Sequence, residues 1–472
     1  MLNKAKSIIK MPIFKALITL AFPIILANLF QAMYQLTDSF WVGRLGGAAL
    51  ASVAICGPIV FLAVSVGIGF AMAGSTFVSQ YFGAKNNKMV SHSAAQTIIM
   101  IGFISLIFSI LGYIFAPNIL KFMGANQEIY SMALSFLRVS FISLIANFFF
   151  FIFQSIMRGI GRPTIPVYIV VATVLLNFIL DPLFIFGFGP IPASGPAGAA
   201  VATLITQFLA AIIGFSILFA GKHGIRLKIA DFKPDFVFIK KAFLIGFPSS
   251  IEQSARNLAM VFMTSLIAGF GTVAMASYGA GSNLIQVVMM MGIGLAVANG
   301  TLVGRNIGAK NISEAVRVSK LSAVISFVIL SFLGLMAFIF ANQFISFFIP
   351  NDPSVIAGGV QFVRIVALGF GFIGLQMSFG NVFLAAGKST TTMFLTIFSQ
   401  WLSQIPLAYF LSQKTSLGIT GIWIAMPITN ILTSTIAFIL YQKGSWQHHR
   451  IIEDEKTSGL VTEESQVEEG IH

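Results

Sequence analysis

Long apolar segments make up most of the chain, and only short polar stretches separate them. A helix needs roughly 20 apolar residues to cross the hydrocarbon core of a bilayer. Twelve segments reach about that length, at residues 13–41, 51–81, 92–115, 131–157, 163–188, 197–220, 239–269, 274–304, 318–341, 356–385, 390–412 and 417–441. Alternating runs of about ten residues, which are typical of outer-membrane barrels, are absent. The pattern therefore predicts an all-α polytopic membrane protein with twelve transmembrane helices.

The second half of the sequence repeats the first at a nearly constant offset. The turn Gly-Ala-Lys-Asn at 83–86 recurs at 308–311, which is 225 residues later (308 minus 83). Pro23 matches Pro248 at the same offset. Six spans in each copy predict parallel repeats, related by a pseudo-two-fold axis along the membrane normal. We expect an N-lobe (1–220), a cytoplasmic linker (221–241), a C-lobe (242–442) and an acidic disordered tail (443–472).

Composition and charge distribution agree with a membrane protein. Charged residues are 9% of the chain and hydrophobic residues 57%, whereas soluble proteins carry about 25% charged residues. The net charge of +13 could indicate nucleic-acid binding. However, 22 of the 28 Lys and Arg fall in the termini and in loops on one predicted side, and only Arg44, Lys121 and Lys414 fall on the other. The positive-inside rule then predicts an inner (plasma) membrane protein with both termini cytoplasmic, and no nucleic-acid partner is needed.

Three of the fifteen acidic residues lie inside predicted spans: Asp38, Asp181 and Glu252. An ionisable side chain at that depth is costly, so each is a functional-site hypothesis. Two structural alternatives are that Asp38 reaches the headgroups and that Asp181 caps a helix end. The repeat counterparts of Asp38 and Asp181, Met263 and a position near Ile405, are apolar. The chemistry is therefore predicted to be confined to the first lobe.

Local spacing adds partners to two of these acids. Asn177 precedes Asp181 by four residues and shares its helix face, and Pro182 removes a backbone donor, which frees a carbonyl one turn earlier. Such a group suits either a proton relay or a Na⁺ site built from hard oxygens. Arg256 follows Glu252 by four residues, which predicts an intrahelical ion pair, with a coupling role as the alternative. His92 and His223 fall at or in predicted cytoplasmic loops and no histidine lies within the interior of a span, so no nucleophile–base pair is predicted and we expect neither an enzyme nor a cofactor.

The sequence up to about residue 445 resembles the bacterial multidrug and toxic compound extrusion (MATE) transporters. The matching marks are Pro23, Gln31…Tyr34…Asp38…Val42-Gly43, the turn at 80–84, Arg158-Gly159 with Gly161, Asn177…Leu180-Asp181-Pro182, and 197–200 followed by Ala202-Thr203. The resemblance implies two six-helix lobes around a V-shaped central cleft and export of drugs coupled to a cation.

Residue roles follow from the same resemblance. Asp38, Asn177, Asp181 and Thr203 would carry the coupling proton, or would bind the metal ion if the coupling ion is Na⁺. Gln31 and Tyr34 would face the substrate, and Pro23 and Pro182 are the candidate hinges.

The predicted protein is a secondary active efflux antiporter, working as a monomer in membrane lipid. It would exchange drug-like, often cationic, compounds for H⁺ or Na⁺ by alternating access. The alternative is a lipid-linked saccharide flippase of the same fold, in which Arg138, Arg256 and Arg364 supply a cationic cavity.

Overall fold

The computed structural model describes residues 11–190, 192–221, 224–350 and 352–452, and this part of the chain is helical without β-strands. The first half contains α1 (Ile13–Gly43), α2 (Gly47–Gly83), α3 (Asn87–Phe122), α4 (Gln127–Gly159), α5 (Thr164–Phe186) and α6 (Pro196–Ala220). A 3₁₀ turn (Ile229–Phe232) lies in the connection to the second half. The second half contains α7 (Phe236–Ala268), α8 (Thr272–Gly308), α9 (Ile312–Ile339), α10 (Ala341–Phe348), α11 (Pro353–Ala367), α12 (Phe370–Ala385), α13 (Ser389–Ile397), α14 (Ile405–Gln413) and α15 (Ile419–Gln442). A π-helical turn (Phe398–Gln404) joins α13 to α14.

Nine helices in the described ranges are long and apolar enough to cross a bilayer, and α11 with α12, bent by 47°, makes a tenth. Two of the twelve predicted spans do not meet that criterion. One corresponds to α7, which carries Lys240, Lys241, Glu252 and Arg256. The other is divided by the π-helical turn into α13 and α14, which are nine residues each. The structure thus shows a multi-pass helical protein, with nine to ten spans by length and composition.

The two repeated turns lie against each other. A Cβ added to Gly83 would lie 2.0 Å from the carbonyl oxygen of Arg305, and one added to Gly308 would lie 1.9 Å from that of Gln80. Gln80 and Arg305 are themselves 225 residues apart (305 minus 80), so the contact is reciprocal. Only glycine allows backbones to approach this closely. Because Lys85 and Lys310 lie in these turns, we call this end of the bundle the basic end.

Helices α1 and α7 exchange partners at the basic end. The start of α1, through Leu17 and Leu20, packs in the hydrophobic core of the second half, whereas Tyr34 packs in that of the first. The start of α7, through Phe238 and Ile245, packs in the core of the first half. Each helix passes from one core to the other near its proline, Pro23 or Pro248. The repeat in the sequence did not predict this exchange.

Ordered structure continues beyond the predicted start of the tail. The prediction places an acidic disordered segment at 443–472, yet Trp446 is fully buried and Ile452 is only 5% exposed. Burial of these apolar side chains lowers the free energy of the folded state, and the acidic residues that follow do not change that contribution. Residues 446 and 452 are thus packed, and residues 453–472 of the predicted tail lie outside the described residues.

Candidate functional site

Helices α1, α5 and α6 bring the two predicted acids of the first half together. Asp38 on α1 and Asp181 on α5 have their carboxyl groups within hydrogen-bonding reach of each other. Asp181 is fully buried and lies inside α5, so it does not cap the helix end. Two carboxylates this close repel strongly unless a proton or another cation lies between them. The pair can therefore bind a cation or share a proton.

Asn177 and Thr203 complete the group. The amide nitrogen Nδ2 of Asn177 donates to Oδ1 of Asp181 at 3.0 Å, which is the intrahelical contact that their spacing predicts. The hydroxyl of Thr203 on α6 lies 3.4 Å from Oδ2 of Asp38 and donates to it. Asn177 is also close enough to Asp38 to interact with its carboxyl group electrostatically. All four predicted ion-coupling residues thus belong to one contiguous polar cluster, and Asp38 faces protein partners rather than headgroups.

Several acceptor oxygens of this cluster are not satisfied. Oδ1 of Asp38, Oδ1 of Asn177 and Oδ2 of Asp181 are buried and receive no hydrogen bond from the described residues. A buried acceptor without a donor costs free energy, roughly 1–3 kcal/mol each. A hard cation would be coordinated by such oxygens, and protonation of a carboxyl would convert one of them into a donor. The donor set fits Na⁺ and H⁺ alike.

Tyr34 connects the cluster to a residue that sequence reasoning missed. Tyr34 is buried on α1, one turn before Asp38, and its hydroxyl hydrogen-bonds the hydroxyl of Thr206 on α6. Thr206 follows Thr203 by three residues, so both threonines face α1 from one side of α6. The three-residue spacing between Thr203 and Thr206 is the feature of the sequence that could have identified Thr206. Gln31 is half-buried on the same side of α1 as Tyr34.

The candidate hinges lie at distinct places. Pro182 follows Asp181 directly, and its ring nitrogen cannot donate to the carbonyl of Phe178 one turn earlier. The rings of Phe178 and Phe186 pack on Trp41 of α1, with centroid distances of 5.6 and 6.3 Å. Pro23 lies at the crossover of α1 described above. Both prolines are therefore on helices that carry the cluster.

The acid of the second half has a different environment. Oε1 of Glu252 lies 3.0 Å from Nη2 of Arg256 one turn later, and it also accepts from the hydroxyl of Thr396 at 3.3 Å. Trp401, in the π-helical turn, donates its Nε1–H to the carbonyl of Ala255 at 3.0 Å. Met263, the counterpart of Asp38, is buried in a hydrophobic core. This arrangement has the geometry of the predicted intrahelical ion pair.

The three arginines of the flippase alternative do not converge. Arg138 lies over the ring of Tyr113, with its guanidinium carbon 4.9 Å from the centroid. Arg364 lies over the ring of Phe338 at 5.5 Å. Arg256 pairs with Glu252. Each arginine has a local partner, so the geometry does not favour a shared cationic cavity.

Known proteins resemble this chain in sequence and in fold. The MatE family model matches residues 23–183 and 248–410. The chain is 26% identical over 446 residues to the probable multidrug resistance protein NorM of Thermotoga maritima, which covers 94% of this chain and 96% of that protein. It is 26% identical over 440 residues to the multidrug export protein MepA of Staphylococcus saprophyticus, covering 91% and 94%. A crystal structure of MATE in the bent conformation superposes with a TM-score of 0.87 at 23% identity, covering 93% and 97% of the two chains.

Proposed function

This chain belongs to the MatE family, and from that premise we propose that it is a secondary active antiporter for organic, often cationic, compounds. Proteins of this family are transporters and not enzymes. The proposal includes twelve membrane-spanning helices in two pseudo-symmetric lobes, in an inner membrane with both termini cytoplasmic. The exchanged ion is H⁺ or Na⁺.

One observation carries the antiport proposal: the adjacent carboxyl groups of Asp38 and Asp181, with buried acceptor oxygens beside them. An ion that neutralises this pair removes the negative charge that would attract a cationic substrate. Ion and substrate then favour different states of the protein, which is what exchange requires. Tyr34 and Gln31 lie one and two turns before Asp38 on α1 and are the proposed substrate contacts.

Access to the cluster is proposed to alternate between the two ends of the bundle. From the basic end to the middle of the bundle the halves touch closely, because a Cβ on Gly69 would lie 2.3 Å from the backbone of Ser250, and one on Gly294 would lie 2.3 Å from Ile25. Near Gly46 and Gly271, at the opposite end, a Cβ would meet nothing within 4 Å. These contacts favour a conformation closed at the basic end. Rocking about the crossovers at Pro23 and Pro248 would open it.

The test is efflux of a panel of cationic dyes from proteoliposomes under imposed gradients. A Na⁺ gradient with the pH gradient collapsed, and the reverse, separate the two candidate ions. We expect one gradient to drive efflux and Asp38→Asn to abolish it. The matched control is Asp352→Asn, since Asp352 caps α11 and asparagine caps equally well. Efflux that ignores both gradients, or that survives Asp38→Asn, contradicts antiport through this site.

A further inference from the structure

The last described residues pass from the second half to the first across the interface between them, which we call the seam. Trp446 packs in the core of the second half, where it stacks on Tyr441 at 5.4 Å and donates its Nε1–H to the carbonyl of Tyr441 at 3.2 Å. Six residues later, Ile452 is buried in the core of the first half. We call residues 446–452 the C-terminal clasp. A segment anchored in both cores resists their separation.

Hydrogen bonds fix the clasp to both sides of the seam. His449 donates from Nδ1 to the carbonyl of Ala386 at 2.6 Å, and Arg450 donates from Nη2 to the carbonyl of Gly308 at 3.0 Å, both in the second half. The backbone N–H of Ile451 donates to Oε1 of Gln80 in the first half at 3.2 Å. The clasp is thus bonded across the reciprocal turn contact and covers it.

Gln80 is the centre of this arrangement. Its side chain is fully buried, and its amide nitrogen Nε2 donates to the carbonyl of Ala385 in the second half at 2.8 Å. One side chain of α2 therefore bonds both the second half and the clasp. Separation of the halves at the basic end would leave the buried amide without either partner, and that is costly in a low-dielectric environment.

We propose that the C-terminal clasp is an intramolecular lock that holds the basic end closed and must release before that end can open. The lock goes beyond the antiport proposal and rests on it only in assuming a second conformation that is open at the basic end. Trp446 remains with the second half, and Ile451 and Ile452 leave the first. Each lost bond shifts such an equilibrium roughly two- to tenfold.

The test measures exposure of the seam directly. Ser79 on α2 is buried against Gly304 of α8, so a Ser79→Cys thiol is a reporter of opening, in a Cys56→Ala background. Purified protein in detergent is labelled with a maleimide, and the rate is measured. A chain ending at Lys443 lacks the clasp, and a chain ending at Ile452 keeps it. We expect the shorter chain to label about tenfold faster and the longer chain to label at the full-length rate.

Point variants keep the proposal testable if the shorter chain does not fold. Ile452→Ala removes the apolar contact of the clasp with the core of the first half, and the matched control is His448→Ala, because His448 is exposed four residues away. We expect roughly tenfold faster labelling for Ile452→Ala alone, with thermal unfolding showing that both variants are folded. Equal rates for the two variants, or unchanged labelling in a folded chain ending at Lys443, would overturn the lock. Labelling does not depend on transport, so the result can be interpreted even if the antiport proposal fails.

Discussion

The two halves of the molecule provide opposite surroundings for an acidic side chain within a predicted span. In the first half, Asp38 and Asp181 lie side by side, with only neutral donors, Asn177 and Thr203, beside them. In the second half, Glu252 has a permanent cation one turn away on its own helix, Arg256. Among the described residues, the same repeated scaffold therefore contains one acid pair with neutral partners and one acid with a cationic partner.

That difference shows how a duplicated fold can specialise one copy. A carboxylate neutralised by a guanidinium within the fold gains little from an added ion. Two adjacent carboxyl groups gain much, because the added ion relieves their repulsion. The second copy also replaces the acid-bearing position of α1 by Met263, which adds apolar packing instead of charge. On the antiport proposal, ion binding is thus concentrated in one half.

The two copies also differ in the geometry of the helix that carries the second acid in the first half. The helix α5 is continuous and carries Asn177 and Asp181 on one face. The corresponding segment of the second half is interrupted by the π-helical turn, which places Trp401 against the carbonyl of Ala255 on α7. Such turns often re-aim a side chain. Here the turn positions a hydrogen bond that stabilises α7 next to the ion pair.

The largest expected effect comes from removing the second acid of the pair. Asp181→Asn keeps the side-chain shape and leaves Asp38 as a lone carboxyl, so a proton or sodium ion is no longer exchanged against the substrate. We expect gradient-driven dye efflux to fall about 100-fold. Glu252→Gln is the control from the other half, and its efflux should stay within about threefold of wild type, since Arg256 is 36% exposed and can be solvated. Equal losses in the two variants, at equal protein amounts, would show that the halves are functionally alike.

Sequence reasoning reached the contacts within a helix and missed most of those between helices. Spacing alone predicted Asn177 beside Asp181 and Arg256 beside Glu252, because residues four apart share a helix face. Thr206 and the anchoring of the clasp by Gln80 depend on the register between helices, which packing decides. The exchange of α1 and α7 between the two cores was likewise invisible, since the apolar pattern shows that a face is buried but not against which partner.

An intermediate effect is expected on stability in the second half. Arg256→Leu leaves the carboxylate of Glu252, whose side chain is 15% exposed, without its cation. We expect a loss of about 1–3 kcal/mol in the free energy of unfolding, and largely restored stability when Glu252→Gln is added. Thermal unfolding in detergent measures both.

The matched control for that ion pair is Arg317→Leu. Arg317 pairs with Glu314 at 3.8 Å, but its side chain is 74% exposed. A solvated pair of this kind contributes about 0–1 kcal/mol, so the midpoint should hardly move. A similar small loss in Arg256→Leu would mean that Glu252 is solvated, and the contrast between the halves would then weaken.

The smallest expected effect concerns the connection between the two halves. Asp235 caps α7. Its carboxylate accepts a hydrogen bond from the backbone N–H of Phe238, and this bond, with a smaller effect from the contact with His92 at 3.1 Å, holds the pKa of Asp235 below its usual value. A lowered folded-state pKa stabilises the fold above the unfolded pKa of about 3.9, and that contribution is lost as the pH falls through the folded value. Asp235→Ala should therefore cost about 1 kcal/mol at neutral pH.

The pH dependence distinguishes the stabilisation by the Asp235 carboxylate, which caps α7, from the stabilisation by the other hydrogen bonds to the linker. Gln96 of α3 also binds the linker, donating to the carbonyls of Asp231 and Lys233 at 2.9 and 2.8 Å, and neither bond involves the carboxylate of Asp235. The difference in thermal midpoint between wild type and Asp235→Ala should consequently shrink as the pH falls below about 4, while Gln96→Ala keeps a constant deficit. A deficit in Asp235→Ala that is independent of pH would mean that the aspartate stabilises α7 by packing rather than by its charge. The first half would then bind the start of α7 through apolar contacts such as that of Phe238 with Phe77, whose ring centroids are 4.6 Å apart.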